Sequence, residues 1–164
     1  FFPFIRYTFG PETPLSVALV PELSSHGSVK TLADLLERRL SVGGGADRAF
    51  VIVSSDFSHY GARFGYTPFG TGPAQEVEAK VLADDRQVGE LIAELDLDRL
   101  SRRFTEGRTT VCGRYPILLA AELFSRYRYR GEIARQYNSN SFGGRREEFV
   151  CYLSVLFRHS QGEL

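Results

Sequence analysis

The order of apolar patterns in this chain predicts an α/β fold, a single domain with a mixed sheet flanked by helices. Two observations carry the prediction. Two short apolar runs, residues 15–20 (LSVALV) and 49–53, bracket a stretch whose leucines recur at helical spacing. A helix between two buried strands is a βαβ unit, normally parallel and right-handed. Further on, residues 131–137 and 149–157 alternate or run apolar and read as an antiparallel pair of strands.

The first run ends at Pro21, which cannot continue a ladder. Ser28 is a good helix N-cap, and Leu32, Leu35, Leu36 and Leu40 supply the apolar stripe that follows it. Gly43, Gly44 and Gly45 stop that helix. After the run at 49–53, residues 55–72 form a long aromatic and glycine-rich loop with Tyr60, Phe64, Tyr66 and Phe69, and ordered loops of that length are usually functional or lid-like. The pattern then turns helical: 74–83 reads as one helix, 87–95 as a second and 97–104 as a short third. Residues 109–115 connect to a helix over 117–127, with Pro116 in its first turn. A polar, Gly-rich loop at 138–146 joins the two final strands.

Composition narrows the function classes. At 164 residues the chain can bury one substantial core. Twenty basic and twenty acidic residues cancel, which argues against a nucleic-acid surface. No apolar run approaches a membrane span. Phe1 to Phe9 has neither the basic leader nor the small-residue cleavage site of a signal peptide. Two cysteines, Cys112 and Cys151, are too few for a disulfide framework, so a cytoplasmic, reducing setting is the default expectation. Methionine is absent. With Phe1, Phe2 and Phe4 crowded at the start, this favours a portion of a longer chain, because exposed phenylalanines are costly in water.

The residues that could carry chemistry cluster in two loops. In Val51-Ile52-Val53-Ser54-Ser55-Asp56-Phe57-Ser58-His59-Tyr60-Gly61 an apolar run breaks into a loop holding a carboxylate and an imidazole three residues apart. Such a pair suits acid–base work, since the Asp orients the ring and fixes its tautomer. A turn-capping Asp56 and a packed His59 explain the same spacing with even weight. Cys112 lies just before a helix, with Arg114 two residues on, a setting that favours a thiolate. An isolated cysteine is nevertheless more often a small buried hydrophobe. Cys151, inside an apolar run, reads as core, and His26 and His159 have weak claims. The run Arg126-Tyr127-Arg128-Tyr129-Arg130 has the composition of a nucleic-acid stacking surface, but a helix end leading into an edge strand explains it more cheaply.

Two of these segments resemble one family. Val53-Ser54-Ser55-Asp56-Phe57-Ser58-His59-Tyr60-Gly61, followed by Arg63, Phe64 and Tyr66, is similar to the signature of the Memo-like proteins. Thr110-Val111-Cys112-Gly113-Arg114-Tyr115-Pro116-Ile117 is similar to their second signature. Tyr137 with its Ser/Asn-rich loop and the strand around Tyr152 match more loosely. Phe2-Pro3-Phe4-Ile5 resembles a segment inside the family's domain, so the resemblance implies that this chain is the C-terminal half of a longer Memo-like domain.

The resemblance implies a fold similar to class III extradiol ring-cleaving dioxygenases, which use non-haem iron. It makes Cys112 a thiolate ligand to iron or copper, His59 and Asp56 the acid–base pair beside it, and Arg63, Tyr60 and Arg114 part of the substrate or peptide pocket. The family's other two metal ligands are histidines expected on the N-terminal half, which is itself an expected partner. Three functions compete on this basis. The first is a metal-dependent, redox-active oxidoreductase acting on a small aromatic substrate. The second is an interaction protein that binds a phosphotyrosine peptide in signalling and cell motility. The third, on residues alone, is a thiol hydrolase using Cys112, His59 and Asp56.

Overall fold

A computed structural model describes residues 2–23, 26–42, 50–106, 109–143 and 147–159. Its elements are α1 (Phe2–Phe9), α2 (His26–Val42), β1 (His59–Tyr60), a single 3₁₀ turn (Ala62–Phe64), α3 (Ala74–Glu94), α4 (Leu97–Thr105), α5 (Arg114–Ser125), β2 (Tyr129–Asn138), a second 3₁₀ turn (Ser139–Phe142) and β3 (Phe149–His159). The architecture is α/β: a small sheet flanked by helices.

The sheet is antiparallel throughout the described residues, in the order β1-β3-β2, and this corrects the expected mixed sheet. The C-terminal pair forms as its alternation predicts, with Tyr137 opposite Tyr152 and Asn138 opposite Cys151, interrupted by one irregularity between Ile133 and Arg135. The expected N-terminal βαβ unit is not seen among the described residues. Residues 15–20 and 50–53 have no strand pairing, and Ala49 and Gly43 to Gly45 lie outside the described residues. Val17, Leu19, Val51 and Ile52 are exposed. A β-rich sequence becomes a strand only when a neighbour supplies a ladder and a surface to pack on, and no described segment does so here.

The helices differ from expectation at their joints. α2 starts at His26, so Ser28 is inside it. Among its residues of described burial Val29 and Ala33 are buried, while Leu35 points outward. The two helices expected between 74 and 95 are one, α3, of 21 residues. Asp84 and Asp85 read as a break, but each has a tertiary partner: Asp84 pairs with Arg103 of α4, and Asp85 is buried against Ser58. α3 does end at Leu95, in the left-handed conformation (φ 57°), where Leu95 N–H donates to Ile92 O and Asp96 N–H to Leu91 O. Asp96 then caps α4 by accepting from Arg99 N–H at 3.1 Å. α5 keeps Pro116 in its first turn.

α3 packs across β2 and β3, α4 sits against α3 and α5, and α2 packs on α5. The approach of α3 to the sheet is close at Gly89, where a Cβ would stand 2.6 Å from a Leu153 methyl. Val81, Val88, Leu100, Val111 and Phe149 fill the space between. The Arg126–Arg130 run is used structurally at its start. Arg126 reaches Asp34, Glu37 and Glu122 at 2.7–3.0 Å, and Tyr127 donates to Glu37 at 2.6 Å. These contacts tie the end of α5 to α2, and β2 follows as an edge strand. No described helix is long and apolar enough to cross a membrane.

Candidate functional site

The two motif loops, more than fifty residues apart in sequence, are sewn together by hydrogen bonds. Cys112 N–H donates to Asp56 O at 3.4 Å, His59 N–H donates to Thr110 Oγ1 at 2.8 Å, and Gly113 N–H donates to Ser55 Oγ at 2.8 Å. The last bond serves a helix end. Gly113 is the N-cap of α5 and has no side chain to satisfy an orphan N–H, so a serine from the other loop supplies the oxygen. The contact is so close that a Cβ on Gly113 would lie 2.4 Å from the Ser55 Cβ. Glycine is required there for steric room, since its φ of −89° is ordinary.

Asp56 lies at the centre. Its backbone N–H donates to Cys112 Sγ at 3.3 Å, and its Oδ2 stands 3.4 Å from His59 Nε2. The Asp56 and His59 side chains are 47% and 26% exposed, and Cys112 is exposed as well. The three side chains therefore form an open shelf on the surface. Cys112 Sγ also lies 3.7 Å from Ser55 Oγ. The His59 ring leans on Phe64, centroid to centroid 5.3 Å.

Phe57 and Ser58, between the two functional residues, point the other way and are buried. Phe57 N–H donates to Cys151 O and Cys151 N–H to Ser58 O, so β3 holds the turn from behind. The site lies where the loop meets β3 and the start of α5, and the described residues 50–53 that lead into it are not a strand.

The remaining predicted residues are placed differently. Tyr60 is buried, its ring stacked on Phe149 and its hydroxyl donating to Gly70 O at 2.6 Å. It packs in the core of the described residues. Arg63 is exposed beside Phe64, with its N–H on Glu148. Arg114 opens α5 and lies over the Tyr115 ring. The loop over 55–72 is no free lid, because Gly61 and Tyr66 exchange backbone hydrogen bonds and close it on itself. Cys151 is fully buried, and its thiol is pushed far above the ordinary range by burial and by nearby Asp85. His159 packs edge-on against Tyr129, and His26 begins α2. Ser55 and Thr110 belong to the motifs but gave no chemical signal by type; Asp85 gave none at all, being one of several acids on a helix.

The donor set at the shelf falls short of what the expected metal needs. Among the described residues, no group of three or more His, Cys, Asp and Glu side chains is placed to hold a metal ion. The contacts of Cys112 Sγ are a backbone amide, a backbone carbonyl and a hydroxyl. These residues do not complete a metal centre, which ordinarily takes three or four protein donors.

Comparison with known proteins agrees with the two motifs. The family model described as Memo-like protein matches residues 2–156. A MEMO1 family protein of Thermococcus onnurineus is 28% identical over 95% of this chain and 54% of its own length. The protein memo-1 homolog of Caenorhabditis elegans is 26% identical over 68% of the chain and 34% of its own length. A MEMO1 family protein of Pyrococcus abyssi is 32% identical over 66% and 37% respectively. The chain thus spans between a third and somewhat over half the length of these relatives. Its two motifs, the loops they form and the match over nearly all of its length show that this chain belongs to the Memo-like family.

Proposed function

We propose that this chain supplies one wall of a metal-binding, redox-active pocket related to those of non-haem iron dioxygenases, with Cys112 as its thiolate donor and Asp56 and His59 as its acid–base pair. The observation that carries the reading is the double engagement of Asp56, whose N–H meets the Cys112 sulfur while its carboxylate meets the His59 ring. A thiolate in place of a carboxylate ligand favours softer metal states, so iron or copper redox chemistry fits the shelf better than inherited ring cleavage. Further ligands would come from the part of the domain by which the relatives exceed this chain. An apolar face suits such a segment: a shallow cleft of about 330 Å³ is lined by Phe4, Phe9, Phe50, Ile52 and Leu156, with Val17 and Leu19 also exposed. The thiol-hydrolase reading is weaker, because the contacts of Cys112 Sγ are with Ser55 and Asp56 rather than with the His59 ring, and a nucleophile needs its base within hydrogen-bond reach. The phosphopeptide reading loses Tyr60, which is buried, and keeps only Arg63 and Arg114.

Calorimetric titration with Fe(II), Cu(II) and Zn(II) tests the proposal, on this chain and on a protein of the relatives' full length that contains it. The chain alone should bind weakly. The longer protein should bind through Cys112, lose binding in Cys112→Ser, and weaken only about 10- to 100-fold in His59→Ala, the usual cost of an outer partner. Tight binding by the short chain, or a Cys112→Ser variant that binds like wild type, would reject the metal assignment.

A further inference from the structure

The turn that carries the site is held from inside the protein by a buried acid on another element. Asp85 lies in the middle of α3 and is 1% exposed. Its carboxylate accepts twice from Ser58, from the hydroxyl at 2.8 Å and from the backbone N–H at 3.3 Å, and the Cys151 thiol lies beside it. Ser58 lies two residues after Asp56 and immediately before His59. Every group facing the carboxylate in these contacts is a donor, which suits an acceptor-only side chain and suits no other residue of this size. A buried carboxyl carries a desolvation cost, so an acid placed here is expensive unless its contacts do something that an apolar residue could not.

From this geometry we infer that Asp85 is the positioning residue of the site. By fixing both donors of Ser58 it sets the direction of the Asp56–His59 turn, and so holds the Asp56 amide on the Cys112 sulfur and the Asp56 carboxylate beside the imidazole. β3 fixes the height of the turn through the backbone of Cys151, and Asp85 fixes its rotation. The proposal rests on reading Asp56, His59 and Cys112 as one site, but it requires no metal.

The test uses the metal-free chain with two readouts at the shelf: the ¹H–¹⁵N signals of the His59 ring, and the rate at which iodoacetamide alkylates Cys112. Asp85→Asn keeps the shape but turns an NH₂ toward one of the Ser58 donors. It should move or broaden the His59 ring signals and slow Cys112 alkylation at least threefold, because a rotated turn withdraws the amide from the sulfur. Asp84→Asn is the control. It breaks the ion pair to Arg103 on the same helix and should lower stability while leaving both readouts within about 1.5-fold of wild type. Ser58→Ala should reproduce part of the Asp85→Asn effect, and the double variant should be no worse than Asp85→Asn alone, since the acid acts through the serine. A folded Asp85→Asn whose readouts match those of Asp84→Asn overturns the proposal. If Asp85→Asn does not fold, a Ser58→Ala variant with wild-type readouts overturns it equally. Neither result depends on the metal titration, so the two readings can fail separately.

Discussion

Gly113→Ala is the most direct probe of the junction between the two loops. The added Cβ would lie 2.4 Å from the Ser55 Cβ and 2.5 Å from its Oγ, a full ångström inside the 3.4 Å at which ordinary contact begins. The Ser55 Cβ is fixed to its own backbone, whose Cα would lie 3.3 Å from the new atom, so backbone must move. Overpacking of this kind costs about 1–3 kcal/mol. The movement also stretches the Gly113 N–H to Ser55 Oγ bond, now 2.8 Å, and a hydrogen bond is worth about 0.5–1.5 kcal/mol net. Urea denaturation followed by circular dichroism should therefore place Gly113→Ala about 1.5–4.5 kcal/mol below wild type, the sum of those two ranges. The cause is identified by a second substitution. Ser55→Gly removes the Cβ and Oγ that clash, so in the Gly113→Ala background it should cost much less than it does in wild type, or even restore stability. A Gly113→Ala variant within about 0.5 kcal/mol of wild type, the range of an uneventful surface change, would show that the loops are not in contact as described. Strict additivity with Ser55→Gly would show that the loss has another origin.

Three further outcomes are expected. Burial raises the Asp85 carboxyl above its ordinary value of 3.8, only partly opposed by the hydrogen bonds from Ser58. Its contribution to stability is therefore complete below the unfolded value and is lost as pH rises through the folded one. Stability measured from pH 3 upward should carry this falling component in wild type, and Asp85→Asn should remove it. Arg126→Ala should lose about 1–2 kcal/mol, discounted for the partial exposure of its carboxylate partners, and Arg126→Lys should recover only part because one ammonium cannot replace a planar fork; thermal denaturation checks both. A colorimetric thiol reagent should titrate one cysteine in the folded chain, Cys112, and two in denaturant, because Cys151 is buried and its thiol is held protonated.

The sequence by itself determined what depends on short stretches of chain. The antiparallel C-terminal pair follows from alternation, the start of α5 from Pro116, and the two candidate loops from the residue types that interrupt apolar runs. The burial of Cys151 followed from its apolar neighbours in the same way. Tertiary structure decided everything that required a partner. Asp84 and Asp85 lie mid-helix because Arg103 and Ser58 receive them, and no local pattern shows this. Residues 15–20 and 50–53 have strand composition but no ladder among the described residues, since β structure is stabilised by a neighbour and not by propensity alone. Tyr60 sits in a motif beside His59, yet the two side chains alternate across a strand, so one faces solvent and the other the core. The junction of Ser55, Asp56, Cys112 and Gly113 was legible as two separate loops. Their contact was not, because sequence records the chemistry of each side chain, while the distance between loops some fifty residues apart is set only by the packing beneath them.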